Sequence, residues 1–330
     1  MKKIYIAVGL LGLLFALTAC ASNAGAVSAS YYDANVADFS TETLSNGIPV
    51  VFKKNGSGKI YVVRMIISGG TPLVPPEKSG LEDVTLEMLQ YGSERYSYAD
   101  IQRLKYEQSW SLSASAGYDY AVYGFRCIEK YLDGVLDIFA DSILHPLFGA
   151  DDFAKVMTEY AEDVQRTQTD PSGLLAVTMR KAAFLQHPYA SSPSPVQASL
   201  AAITLDEVKR HYQTLLNAKR LSFVIVGDVS ASEQKKITQK LEAAFGTIPA
   251  SDFTKPEIPA LTVSGKTVYE RLEQAGDSGY AFGYYVCPDR GDSAAYVTYA
   301  LASMFIEDAL FAQVREKYGA VYSAGNGVIG

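Results

Sequence analysis

Histidine is nearly absent, with three in 330 residues. His145, His187 and His211 lie in LHPLF, LQHPYA and KRHYQ, and no two of them have metal-ligand spacing. A zinc centre built on paired imidazoles is therefore excluded, and each histidine reads as a surface or packing residue. Cysteine is equally scarce. Besides Cys20 there are only Cys127 and Cys287, both inside apolar strand-like runs (YGFRCI, AFGYYVC) in separate predicted domains. That arrangement excludes a disulfide framework and points to buried thiols. No GxSxG turn is present for a serine nucleophile, and nothing in the pattern supplies a third group to orient a Cys127–His145 pair. Long basic runs are missing too. No Lys/Arg run exceeds two residues, the net charge is −7 and the pI about 5.1, so nucleic acid is excluded as a partner.

What the chain has is ordinary globular composition, 48% hydrophobic and 20% charged, in a length that suits two domains rather than one. Its N-terminus carries Lys2 and Lys3, an apolar run from Ile4 to Leu17, and then Leu17-Thr18-Ala19-Cys20. Lysines, a short apolar core and small residues before a cleavage point describe an export signal over 1–19. LTAC resembles the lipobox of bacterial lipoproteins. The expectation is lipidation at Cys20 and anchoring in a bacterial cell envelope, at the periplasmic or outer-membrane face; an ordinary signal peptide with Cys20 incidental is the alternative. Residues 20–40, small and polar, suit a flexible tether.

From Thr43 the pattern turns strand-like, with GIPVVFKK and KIYVVRMIIS joined at Asn55–Gly58 as an expected hairpin. Ser79 and Ser97 offer N-caps for helices through Leu89 and over SYADIQRLKYEQ. SLSASAG and DYAVYGFRCI alternate as two strands, and three helical stretches run from Glu129 to about Gln186. A helix at about 206–216, the strand RLSFVIVGDV and the helix SASEQKKITQKLEAAFG follow. The expected fold class is α+β, an antiparallel-rich sheet packed by helices over 41–250. A proline-bearing linker is expected at 251–260. Beyond it GKTVYERLEQ, SGYAFGYYVC, a long helix and VYSAG repeat the opening order, so 261–330 reads as an incomplete second copy of the same fold.

Taken in order, LSNGIPVVF, GLEDVTLEML with its Gly92-Ser93 turn, SLSASAGYDY, ILHPLF, EDVQRTQTDP, HPYA, VIVGDVS and VREKYGAVYS resemble the insulinase/pitrilysin family of zinc metallopeptidases. The resemblance includes the bacterial and mitochondrial processing peptidases and covers nearly the whole mature chain. It implies a motif H-x-x-E-H on a helix, in which two imidazoles one turn apart bind Zn²⁺ and the glutamate takes a proton from the metal-bound water. A later glutamate is the third ligand. Against that motif the chain has Asp83 and Glu87 at the histidine positions, Leu86 at the base and Asp163 at the third ligand, so the metal site is degenerate and the zinc ligands are not retained. Carboxylates at Asp83, Glu87 and Asp163 suit Mg²⁺, Ca²⁺ or Mn²⁺ better than Zn²⁺, which leaves open an active metallopeptidase with an unconventional site. Leu86 cannot take a proton, and general-base catalysis contributes about 10²- to 10⁴-fold. The leading expectation is a chain that is not catalytic alone.

The resemblance also implies what survives. Arg315, Gly319 and Tyr322 fit an R-x-x-x-G-x-x-Y pattern that reaches the substrate backbone in some members; a helix-end charge and an ordinary strand aromatic are the plain alternatives. The family binds extended peptides by adding a strand to a sheet edge, here SLSASAGYDY, with Ser113 and Ala114 on the expected peptide-binding strand. Asp119 matches the pattern there, whereas Ser113 and Ala116 replace its usual Asn and Thr. The partners implied are peptides or unfolded segments, a zinc-bearing homologous subunit, and the membrane through the N-terminal lipid. A purely structural envelope lipoprotein is the remaining alternative. The pattern also implies further chain after the Arg/Tyr motif, as in a fragment or in a fold completed by another polypeptide.

Overall fold

Strict alternation of core-facing and half-buried side chains builds a six-stranded sheet from β1 (Phe39–Thr43), β2 (Pro49–Lys54), β3 (Ile60–Ser68), β4 (Ser111–Ser115), β5 (Tyr120–Ile128) and β6 (Leu221–Gly227). The structure is a computed structural model that describes residues 39–326 apart from 57, 186, 263–264, 270, 272–278, 284 and 289–290. The export signal, Cys20 and nearly all of the tether lie outside the described residues. Phe39 and Ser40, assigned to the tether from sequence, begin β1.

The strand order is β1-β2-β6-β3-β5-β4, parallel only between β2 and β6. This corrects the expected hairpin: β2 and β3 do not pair, because β6 enters between them and bonds to both. The reason is burial. Leu221, Phe223 and Ile225 of β6 are buried on the core face, while Ser222, Val224 and Val226 are half-buried on the other, so this strand gains most from a central position. The SLSASAG strand, β4, takes an edge, paired with β5 alone among the described residues.

Helices cover one face of the sheet: α1 (Leu81–Met88), α2 (Tyr98–Gln108), α3 (Leu132–Leu144), α4 (Ala150–Thr169), α6 (Leu205–Leu215) and α7 (Ala231–Phe245), with α5 (Pro171–Phe184) and α8 (Ser293–Leu310) belonging to a second unit. The core closes on Phe139 of α3, whose ring meets Phe125 at 5.3 Å, Tyr123 at 5.7 Å, Phe245 at 6.3 Å and Phe223 at 6.5 Å. Ser97 caps α2 as expected, and Ser230 with Glu233 forms a capping box on α7.

Ser79 does not cap α1. Its hydroxyl is bound to the Pro76 carbonyl at 2.9 Å, and the helix starts from Gly80 in left-handed conformation, φ 88°. A side chain at Gly80 would lie 2.1 Å from the Pro195 nitrogen, so the loop over the helix start requires glycine.

By contacts the chain divides into two compact units, one of residues up to Gln165 with Ser191–Glu257, the other of Arg166–Ala190 with Ile258 onward. The 251–260 segment is held at both ends rather than free. Lys219 pairs with Asp252 in the first unit, and His187 Nε2 meets the Pro259 carbonyl at 3.0 Å in the second. In the second unit the described residues of GKTVYERLEQ and SGYAFGYYVC, and those of VYSAG, form no strand, which corrects the expectation of paired strands there. Strand-forming composition needs a neighbouring strand to form a ladder, and Tyr269, Tyr280 and Phe282 stand exposed. The helix does form: α8 is followed by Phe311–Lys317 in the wider π geometry.

Candidate functional site

The spacing of Asp83, Leu86 and Glu87 puts all three on one side of α1, and the structure shows what each now touches. Asp83 accepts the Ala116 backbone N–H at 3.3 Å just past β4, the Ser194 hydroxyl at 2.8 Å, and the Tyr160 hydroxyl from α4. One carboxylate thus ties α1 to the end of the edge strand, to the 191–196 loop and to α4. Burial, stronger than these donors, holds its pKa above the ordinary carboxylate value. Glu87, one turn on, accepts from Gln90 at 2.7 Å; burial and then the charge of Asp83 push its pKa up as well. Between them Leu86 is 0% exposed, a core residue. Tyr160 is raised by burial and by both carboxylates, and Tyr91, stacked on Tyr98 at 4.9 Å, is pushed up to about 12 by burial and by Glu159 and Glu87.

These residues do not fit the zinc ion that the resemblance implies. The oxygens of Asp83 are taken by protein donors, Glu87 is partnered, and no imidazole faces them. Asp163, on the exposed side of α4, does not join Asp83 and Glu87 in a metal-holding group; among the described residues no three His, Cys, Asp or Glu side chains gather in that way. The oxygen-rich alternative loses its geometry for the same reason.

The histidines occupy three separate places. His187 lies in the second unit. His211 Nε2 sits 3.3 Å from Glu82, which also meets Arg220 at 3.4 Å in a buried cluster under α1. His145 Nδ1 lies 3.0 Å from Asp141. Burial alone would raise the Asp141 carboxyl. The Ser93 hydroxyl beside it, the Arg95 N–H and Nε–H, and the His145 ring outweigh burial and hold the pKa down at about 2. The stability Asp141 contributes is therefore fully present above its ordinary value of 3.8 and is lost as pH falls through about 2. Asp141→Asn is expected to cost about 2 kcal/mol at neutral pH and to flatten the acid limb of the unfolding midpoint, read by circular dichroism.

Of the peptide-binding candidates, Ser113 lies exposed on β4 and Ala114 is half-buried beside it. Arg315 and Tyr322 are brought together in the second unit, the guanidinium 5.1 Å from the Tyr322 ring and 4.9 Å from Phe311. Gly319, with φ 58°, makes the turn that returns Tyr322 toward Arg315. Sequence reasoning missed Tyr160, Ser194 and the Glu82–His211–Arg220 cluster.

Comparison with known proteins follows this geometry. Residues 49–193 match the family described as Insulinase (Peptidase family M16), and residues 202–329 match the Peptidase M16 inactive domain. A protein of Rickettsia felis named uncharacterized zinc protease is 22% identical over 297 residues, 88% of this chain and 69% of that protein. The non-peptidase homolog YmxG of Helicobacter pylori is 21% identical over 230 residues, 69% of this chain and 52% of that protein. Among solved structures, the peptidase M16 inactive domain of Pseudomonas fluorescens superposes with TM-score 0.60 at 22% identity, covering 68% of this chain and 54% of that one. A protease from Helicobacter pylori gives 0.58 at 22%, with 68% and 53% covered. The chain thus spans about half the length of three of these four relatives, and the structural likeness establishes the fold. With both family descriptions matched in order along 49–329, the chain belongs to the insulinase family, peptidase family M16.

Proposed function

We propose that this chain is a non-catalytic insulinase-like protein, anchored in the cell envelope through Cys20, that holds extended peptide segments along the edge of β4. The observation that supports it best is the bond from the Ala116 N–H to Asp83: the carboxylate at a ligand position of the motif braces the end of the edge strand. The name of the Helicobacter relative, a non-peptidase homolog, agrees with that reading. Main-chain hydrogen bonds to an added strand supply affinity without demanding a particular sequence.

In an antiparallel pair, adjacent residues direct their N–H groups alternately toward the partner strand and away from it. Of Ser113→Pro and Ala114→Pro, one therefore breaks the β4–β5 ladder and lowers stability, whereas the other removes an outward donor and leaves the fold intact. Fluorescence anisotropy with a labelled extended peptide should show roughly tenfold weaker binding for the outward variant, the loss of about one hydrogen bond. Equal binding by all three chains would overturn edge binding, and peptide cleavage abolished by Asp163→Ala would overturn the non-catalytic assignment.

The pairing of Arg315 with Tyr322 favours a second reading, in which this chain lends both residues to a zinc-bearing homologous subunit. On that reading Arg315→Ala slows cleavage by the assembled pair while complex formation, followed by gel filtration, is unchanged.

A further inference from the structure

The face of the sheet turned away from the helices is unlike the rest of the chain. At its centre stand Val51, Val224, Val226, Val62, Ile66 and Val122, all aliphatic and half-buried, and β6 is apolar on both faces, the pattern of a strand covered on both sides. The charge here has one sign. Lys53, Arg64 and Arg126 point outward with these residues, and no outward residue of the six strands is Asp or Glu, in a chain of net charge −7. Arg126 is opposite Val62 and Arg64 opposite Gly124, so the two arginines are diagonal neighbours about 7–8 Å apart along the backbone. Neither has a hydrogen bond or ion pair among the described residues.

The second unit carries a surface of the opposite kind. One side of α8 is held there: the Tyr299 hydroxyl donates to the Val286 carbonyl at 3.3 Å, and the Ser303 carbonyl accepts from Asn326 at 3.1 Å. On the other side Val297, Leu301, Met304 and Phe305, spaced i, i+4, i+7 and i+8, make an apolar stripe in which every residue is more than half exposed. Asp308 continues that stripe and Glu307 stands beside it, while no Lys or Arg lies between Ser293 and Leu310. An exposed apolar stripe of this kind marks a contact surface. The two acids argue against a bilayer as its cover, since a carboxylate inside a membrane is costly.

We propose that the chain pairs with a second copy of itself, α8 of one copy lying on the outer sheet face of the other. The apolar stripe covers the valine and isoleucine centre, and Asp308 and Glu307 supply the counter-charge that Arg64 and Arg126 lack. Two such contacts, one in each direction, close a dimer. The proposal rests neither on peptide binding at the β4 edge nor on a zinc-bearing partner.

The test is sedimentation velocity of the purified chain over a range of concentrations, with circular dichroism to confirm that each variant is folded. Leu301→Glu, at an exposed position, places a charge in the stripe and should leave a monomer. Reversing both arginines (Arg64→Glu with Arg126→Glu) or both acids (Glu307→Arg with Asp308→Arg) should weaken the dimer roughly tenfold or more. Combining all four reversals should restore it, a recovery that a merely misfolded variant would not give. A parent chain that stays monomeric throughout, or a dimer indifferent to Leu301→Glu, overturns the proposal. So does a dimer lost in Leu301→Glu but untouched by reversal of the arginines, which would put α8 against some other surface. A monomer that instead sediments with phosphatidylglycerol vesicles, and fails to do so as Leu301→Glu, would assign the stripe to a membrane.

Discussion

Glu82→Ala is expected to destabilise the chain by about 3–5 kcal/mol in urea titration, the cost of leaving a buried guanidinium without its counter-charge. Glu82 Oε2 lies 3.4 Å from Arg220 Nη2, with both side chains only 3% exposed, and His211 Nε2 is 3.3 Å from the same oxygen. Arg220 keeps neutral partners at 2.8 Å, the Ser68 and Thr214 carbonyls, but no other carboxylate is paired with it among the described residues. Its pKa is already lowered by burial, with Glu82 alone opposing that shift, so removing Glu82 takes away the charge that keeps the guanidinium comfortable. The cluster joins α1 to α6 and to the start of β6, which makes the helix that carries Asp83 and Glu87 the element that loosens first. A double variant, Glu82→Gln with Arg220→Met, removes both charges and is expected to cost less than Glu82→Ala alone. A loss below about 1 kcal/mol for Glu82→Ala would show that the pair is not energetically coupled.

Local pattern made the helices legible. The Ser97 cap and the 3.6-residue spacing of α3 and α7 each depend on neighbours within one turn. The spacing that relates Asp83, Leu86 and Glu87 is legible for the same reason, as is the family to which they belong. What lay beyond reading depends on distant partners. Two adjacent strand-like runs suggest a hairpin, yet β2 and β3 are separated by a strand that begins only at Leu221. Asp83 was visible as a carboxylate in a ligand direction, but its bonds to Ala116 and Ser194 come from residues 33 and 111 positions away. Glu82, next to Asp83 on α1, is buried against a counter-charge that lies 138 residues on. Sequence spacing locates a side chain on its own helix, while only the tertiary fold shows what faces it.

Leu86→Glu, which returns the missing base to its motif position, is expected to lower stability by about 3–5 kcal/mol and to produce no peptide hydrolysis, with or without added zinc. Leu86 is fully buried, so the substitution removes core methyl groups and brings in a carboxyl that water cannot reach. Burial raises the pKa of such a group, as it already does for Asp83 and Glu87 on the same helix. The sign of the pH dependence follows. With the folded pKa above the unfolded one, the ionisation cost is absent below the ordinary glutamate value and grows as pH rises toward the raised value. Unfolding midpoints of Leu86→Glu should therefore fall further behind the parent chain at pH 7 than at pH 4. Leu86→Gln, similar in size and unable to ionise, should keep a constant gap. A stable Leu86→Glu chain that cleaves peptide on addition of zinc would mean that one side chain separates this protein from its catalytic relatives. The bonds already made by Asp83 predict otherwise, since a base alone supplies no metal and the carboxylate that would have to ligate one is committed to Ala116, Ser194 and Tyr160.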